Sequence, residues 1–172
     1  LDDTLWGGIV GELGWEKIKL GGHDPIGEAY VDFQKALKSL INRGMILGIV
    51  SKNEEFIAIE AIKKHPEMVL KLDDFSGWKI NWKDKAQNIV DLVSDLNLGL
   101  QSVVFIDDNP AERDLMRAQV PDVEVPEVGS EIIKYIEFID MGGHFEPASL
   151  SQDDLQRNKF YEDNAQRNKL QA

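Results

Sequence analysis

The sequence predicts an α/β fold built on a parallel sheet, and three observations carry that prediction. Two short apolar runs, MILGIVSKN (residues 45–53) and SVVFIDDNP (residues 102–110), stop abruptly at small or charged residues. Continuous β-branched runs of this kind suit strands buried on both faces, as in parallel sheets. Helical periodicity fills the intervals, and strand alternating with helix is the pattern of a parallel sheet whose strands are joined by crossovers.

Taken in order, residues 6–22, WGGIVGELGWEKIKLGG, bracket short alternating runs with glycines, which predicts a β-hairpin flap. Tyr30, Phe33, Leu37, Leu40 and Ile41 recur at helical spacing, and Gly44 is the stop. After the strand at 45–53, Asn53 is placed to cap a helix that has Glu54 and Glu55 in its first turn and Pro66 at its end. A helix over about residues 84–97 puts Ile89, Leu92, Val93 and Leu96 on one stripe. The FIDD strand follows, then a helix with Pro110 at its first position, a short strand VEVPE and a helix through SEIIKYIEFI. From about Gly142 the chain turns polar and carries QRNK at both Gln156 and Gln166. Two copies do not make a repeat architecture; the segment reads as a helical tail or linker toward a further domain.

Composition narrows the function. The 172 residues suit one domain with a sizeable core. A net charge of −12 argues against nucleic acid and anionic membrane surfaces, both of which select a basic face. The chain has no cysteine, which excludes disulfides, thiolate metal sites and a thiol nucleophile and fits a cytoplasmic setting. No apolar run approaches the roughly 20 residues of a membrane span.

In an open parallel sheet, ligands bind at the carboxyl ends of the strands. Such ends here carry Asp2 and Asp3, then Ser51, Lys52 and Asn53, then Asp107 and Asp108. Four carboxylates converging on one rim call for a cation, and hard oxygen ligands with few histidines favour Mg2+ over zinc. Lys85, at the start of a helix, is the positive partner. A metal, a lysine and a small hydroxyl around one point hold a phosphoryl group, whose oxygens need their charge neutralised in the transition state. Taken singly, each element has an ordinary reading: a solvated acidic pair, a helix cap, a surface lysine. Trp78 and Trp82 read as packing for the loop that carries Lys85 or as a wall of the substrate pocket, and His23, His65 and His144 as structural or exposed. The order of the elements carries the weight.

That order, together with the words DDTLWGGIVGE, GEAYVDFQKALKSL, SKNEE, HPEM, WKINWKDKAQNI and FIDDNPAER, resembles the haloacid dehalogenase (HAD) superfamily and its FkbH-like group over roughly residues 1–138. The resemblance implies a HAD-like Rossmannoid three-layer α/β/α fold with a parallel central sheet, a small β-hairpin flap (about residues 6–27) and no large cap domain. It divides the chain into a phosphoryl-transfer domain at 1–141 and a tail at 142–172. The implied activity is that of a Mg2+-dependent phosphatase or phosphotransferase that works through an aspartyl-phosphate, with the nucleophilic Asp expected just before Leu1.

By the same resemblance, Asp2 is the general acid/base and a metal ligand through its backbone carbonyl, Ser51 donates to the phosphoryl oxygens and Lys85 clamps charge. Asp108 is the direct metal ligand, with Asp107 binding through water or from behind it. Thr4 orients the loop and, with Lys52, Asn53 and Trp82, faces a small phosphorylated substrate. The group's polyketide members transfer a glyceryl unit from a phosphorylated glycerate to an acyl carrier protein, and a cysteine commonly precedes their Ser-Lys-Asn. Here that position is Val50, which favours phosphatase or phosphotransferase chemistry over glyceryl transfer. A non-catalytic binding module with the same fold is the remaining alternative.

Overall fold

The computed structural model describes residues 1–141 and Arg167. The elements run α1 (Val10–Leu13), α2 (Pro25–Asn42), β1 (Leu47–Ser51), α3 (Glu55–Lys64), β2 (Phe75–Ile80), α4 (Lys85–Asp95), α5 (Pro110–Gln119) and α6 (Ile132–Met141). Apart from Arg167, the expected tail at 142–172, including His144 and both QRNK copies, lies outside the described residues.

Local chemistry sets most helix boundaries. Asp24 accepts from Gly27 N at 2.9 Å with Pro25 behind it, Asp84 accepts from Ala86 N at 2.8 Å, and Asn109 accepts from Ala111 N at 2.9 Å with Pro110 in the first turn. Each cap satisfies an amide that the helix cannot. Gly44, at φ 90°, ends the turn after α2 in a backbone conformation that favours glycine. The cap expected from Asn53 falls instead on Glu54, which makes no side-chain cap bond.

β1 and β2 pair in parallel, with Gly48 opposite Gly77 and Ile49 opposite Trp78. The chain is thus α/β with a parallel pair of strands, but its strands are not all those expected. β2, over FSGWKI, has a glycine, a tryptophan and a lysine in place of an apolar run. The expected FIDD and VEVPE strands reduce to one parallel bridge between Val104 and Glu124, closed by Phe105 N to Glu124 O at 2.8 Å and Glu124 N to Val103 O at 3.0 Å. Residues 102–106 and residues 47–50 of β1 instead both line an apolar cavity of about 490 Å3, together with Leu1, Phe33 and Leu92.

Side chains alternate along β1. Ile49 joins a large cluster with Phe33, Leu37, Ala58, Ile62, Phe75 and Tyr135, whereas Val50 packs on a second cluster of Ile89, Val93, Phe105, Met116 and Val123. α6 lies on α2, where the Phe33 and Tyr135 rings meet edge-on at 5.5 Å. On the strand pair, Leu92 of α4 sits so close that a Cβ on Gly77 would stand 2.9 Å from its Cδ1, and one on Gly48 3.1 Å from its Cδ2. Full burial of each large apolar side chain contributes about 1.5–3 kcal/mol. Among the described residues, no helix is long and apolar enough to cross a membrane.

The predicted β-hairpin flap is corrected by the structure. Residues 7–19 form a loop closed by one antiparallel bridge, Gly7 to Lys19, around the helical turn α1. Trp6, Val10, Ile18 and Leu20 are buried in the large cluster, so the apolar alternation that read as strand is a loop anchored in the core.

Candidate active site

Ser51, Asp107 and Asp2 come from three separate segments. Ser51 ends β1 and is buried, Lys52 and Asn53 follow it, Lys85 opens α4, and Asp107 and Asp108 precede α5. The backbone nitrogen of Leu1 is buried there, within the field of Lys85, Asp2, Asp107 and Asp108. That one atom marks the point where the groups converge.

Asp2 is held by three donors. Trp6 Nε1 at 3.0 Å and Val10 N at 3.1 Å reach Oδ1, and Asn53 Nδ2 reaches Oδ2 at 3.0 Å. The short turn α1 therefore serves to aim Val10 N at this carboxylate, and Asn53 orients Asp2 rather than capping α3. Gln34, fully buried, fixes the next stretch of the loop. It donates to Leu5 O at 2.9 Å and accepts from Val69 N and Leu70 N at 3.0 and 3.1 Å.

Asp3 does not join the expected rim of four carboxylates. Its backbone turns through φ 53°, and its exposed side chain accepts from Gly8 N at 2.7 Å, closing a local turn.

On the other side, both oxygens of Asp107 are engaged: Oδ2 by Lys85 Nζ at 2.6 Å and Oδ1 by Asn109 N at 2.9 Å. Asp108 accepts from Thr4 Oγ1 at 3.2 Å through Oδ1, and among the described residues no other side chain donates to it. Burial and then the neighbouring Asp107 charge push the Asp108 pKa up, while the Thr4 bond pulls it down. A partly buried carboxylate raised by a like charge is relieved by a cation. Tyr30, one of the apolar stripe of α2, lies within the field of Asp3 and Asp108. Its phenol is pushed up to about 12 by burial and then by those charges.

The remaining expected residues lie around this centre. Lys52 Nζ donates to Glu112 Oε1 at 2.7 Å, a bond that raises the lysine's pKa, with Asp84 and Asp107 adding to the effect. Trp82 is exposed and donates to Glu54 Oε1 at 2.8 Å. Among the described residues, no three His, Cys, Asp or Glu side chains are gathered so as to hold a metal by themselves. Asp107 and Asp108 provide two carboxylates, and a hard cation there requires further oxygens.

The Lys85–Asp107 pair, Asp108 held by Thr4, and Asp2 held by Trp6, Val10 and Asn53 all stand at the ends of elements, as does the buried Ser51. The chain is similar in structure and sequence to a solved structure described as the N-terminal part of the protein BF1531 from Bacteroides fragilis containing a phosphatase domain, complexed with Mg. Identity is 47%, the match covers 87% of this chain and 40% of that one, and the TM-score is 0.84. No protein-family model and no curated protein matches the chain.

Proposed function

We propose that the chain is the catalytic portion of a HAD-type, FkbH-like phosphatase or phosphotransferase acting on a small phosphorylated substrate, with residues 1–141 as the phosphoryl-transfer domain. The observation that carries this reading is the match at 47% identity to a structure that contains a phosphatase domain and was crystallised with Mg. The donor set fits Mg2+: oxygen groups only, with Asp108 taking no side-chain donor but Thr4 among the described residues and its pKa raised by burial and Asp107. Asp108 would hold the metal directly, Asp2 through its backbone carbonyl, and Asp107 from behind, since Lys85 and Asn109 already engage both of its oxygens. Bound there, Mg2+ neutralises charge so that an anionic nucleophile can approach a phosphoryl group.

In this reading, the nucleophile is the carboxylate of an Asp preceding Leu1, whose own nitrogen lies within the field of Lys85, Asp2, Asp107 and Asp108. One of its oxygens forms the bond to phosphorus as the ester P–O bond breaks. Asp2 gives its proton to the leaving oxygen, then takes a proton from the water that attacks the aspartyl-phosphate and releases phosphate. Three donors occupy three of the roughly four acceptor positions of the Asp2 carboxylate, and the remaining one, on Oδ2 beside the Asn53 bond, is where that proton would ride. Ser51 Oγ, to which nothing donates among the described residues, offers its proton to a phosphoryl oxygen, and Lys85 clamps the developing charge. Thr4 keeps Asp108 in place, and Lys52, Asn53 and Trp82 face the substrate.

The chain contains no thiol, and Val50 precedes Ser51, so the reading stops at phosphoryl transfer. The test is hydrolysis of an aryl phosphate by the full-length protein. Activity is expected with Mg2+, abolished by chelation and lost in Lys85→Ala and Asp108→Asn. Unchanged rates in both variants overturn the proposal.

A further inference from the structure

We propose that Arg113 is a positioning residue that sets the aim of the Asp107–Asp108 pair and through it the Mg2+ affinity of the site, an inference that rests on the reading above. Arg113 is the fourth residue of α5, and helical side chains lean toward the N-terminus. Its guanidinium therefore folds back over the start of the helix. Nη1 there donates to Asp107 O and Asp108 O, both at 2.9 Å. These two carbonyls precede α5 and lie outside its hydrogen-bond ladder, which leaves them in need of a donor.

One nitrogen with two protons thus fixes two consecutive peptide planes. With both planes fixed, the two carboxylates must leave the backbone in different directions, Asp107 toward Lys85 and Asp108 toward Thr4.

The other end of the guanidinium is anchored outside. Nη2 donates to Glu127 Oε1 at 2.5 Å, and the second oxygen of Glu127 takes Arg117 Nη2 at 2.9 Å. Arg117 in turn donates to Val125 O at 3.0 Å, so the clamp is braced against the segment after α5. Burial of this cation is expensive. The residue is 3% exposed, and its Nε is buried with no acceptor among the described residues. A side chain required only for packing would bring neither charge nor orphaned donor. The planar fork is what the position uses, and lysine does not reproduce it.

The experiment is isothermal titration of the full-length protein with MgCl2, comparing wild type with Arg113→Met, Arg113→Lys and the core variant Leu92→Ala. Both Arg113 variants are expected to weaken Mg2+ binding, Arg113→Met by roughly 10–100-fold, while Leu92→Ala loses stability and keeps wild-type affinity. Arg113→Met and Arg113→Lys that fold and bind Mg2+ like wild type overturn the inference alone. Failure of the wild type itself to bind Mg2+ overturns the phosphatase reading and this inference with it. If neither Arg113 variant folds, Glu127→Gln decides: its carboxylate is largely exposed, and unchanged Mg2+ affinity there overturns the clamp whereas a severalfold loss supports it.

Discussion

Lys85 Nζ lies 2.6 Å from Asp107 Oδ2, and the two side chains are only 14% and 6% exposed. A pair so enclosed differs from an ion pair on the surface, because removing one partner strands the other charge away from water. Lys85→Met is therefore expected to lower unfolding stability by about 3–5 kcal/mol as well as to abolish aryl phosphate hydrolysis. Urea denaturation followed alongside the assay checks both effects, and an unchanged midpoint would show that Asp107 finds another partner.

Asn53→Ala removes the donor to Asp2 Oδ2 and leaves Trp6 and Val10 on the other oxygen. A hydrogen bond to a charged group contributes about 1.5–3 kcal/mol, which corresponds to a rate loss of roughly tenfold to a hundredfold. The loss is expected chiefly in kcat, because Asn53 acts on the proton carrier as well as facing the substrate. A change confined to KM would leave Asn53 with its substrate contact alone.

Gly27 lies within α2, where alanine is ordinarily the better helix former by about 1 kcal/mol. Here a Cβ would stand 2.3 Å from Gly21 O, a backbone atom that cannot rotate aside. Gly27→Ala is expected to destabilise by about 1–3 kcal/mol despite its propensity. Thermal melts decide the sign.

His65 is buried, and burial holds its imidazole pKa below the ordinary value of 6.5, with Glu67 opposing. Its Nδ1 accepts from Glu67 N at 3.2 Å, which requires that nitrogen unprotonated. The unfolded chain therefore binds this proton more readily than the folded one, so the contribution is complete above 6.5 and declines as pH falls from 6.5 toward the lower folded value. Urea midpoints on either side of 6.5 are expected to fall more for wild type than for His65→Gln. Equal falls would assign the pH dependence elsewhere.

Local signals were the legible ones. Pro110 and Gly44 mark helix ends through neighbours in sequence, and the helices begin and stop close to where those residues stand. Strands depended on partners. Residues 75–80 are a strand because β1 lies beside them, which a run holding Gly77, Trp78 and Lys79 does not announce. Residues 102–106 have the apolar composition of a strand but bond only to the segment around Glu124.

For the candidate site, Asp2, Ser51, Lys85, Asp107 and Asp108 were legible as polar groups at element ends. Their supports were not. Asn53 reaches Asp2 across 51 residues and Thr4 reaches Asp108 across 104, while Gln34 and Arg113 look in sequence like ordinary polar positions on helices.

The bond from Trp6 Nε1 to Asp2 Oδ1 makes the site its own optical probe. Trp6 is completely buried, Trp15 and Trp78 are half-buried and Trp82 is largely exposed, so a quencher dissolved in water suppresses Trp82 first and Trp6 last. Light from the shielded indole carries the imprint of the carboxylate beside it. In the proposed mechanism, each change of charge on Asp2 is then expected as a change in that emission, read by stopped-flow fluorescence in the unlabelled protein.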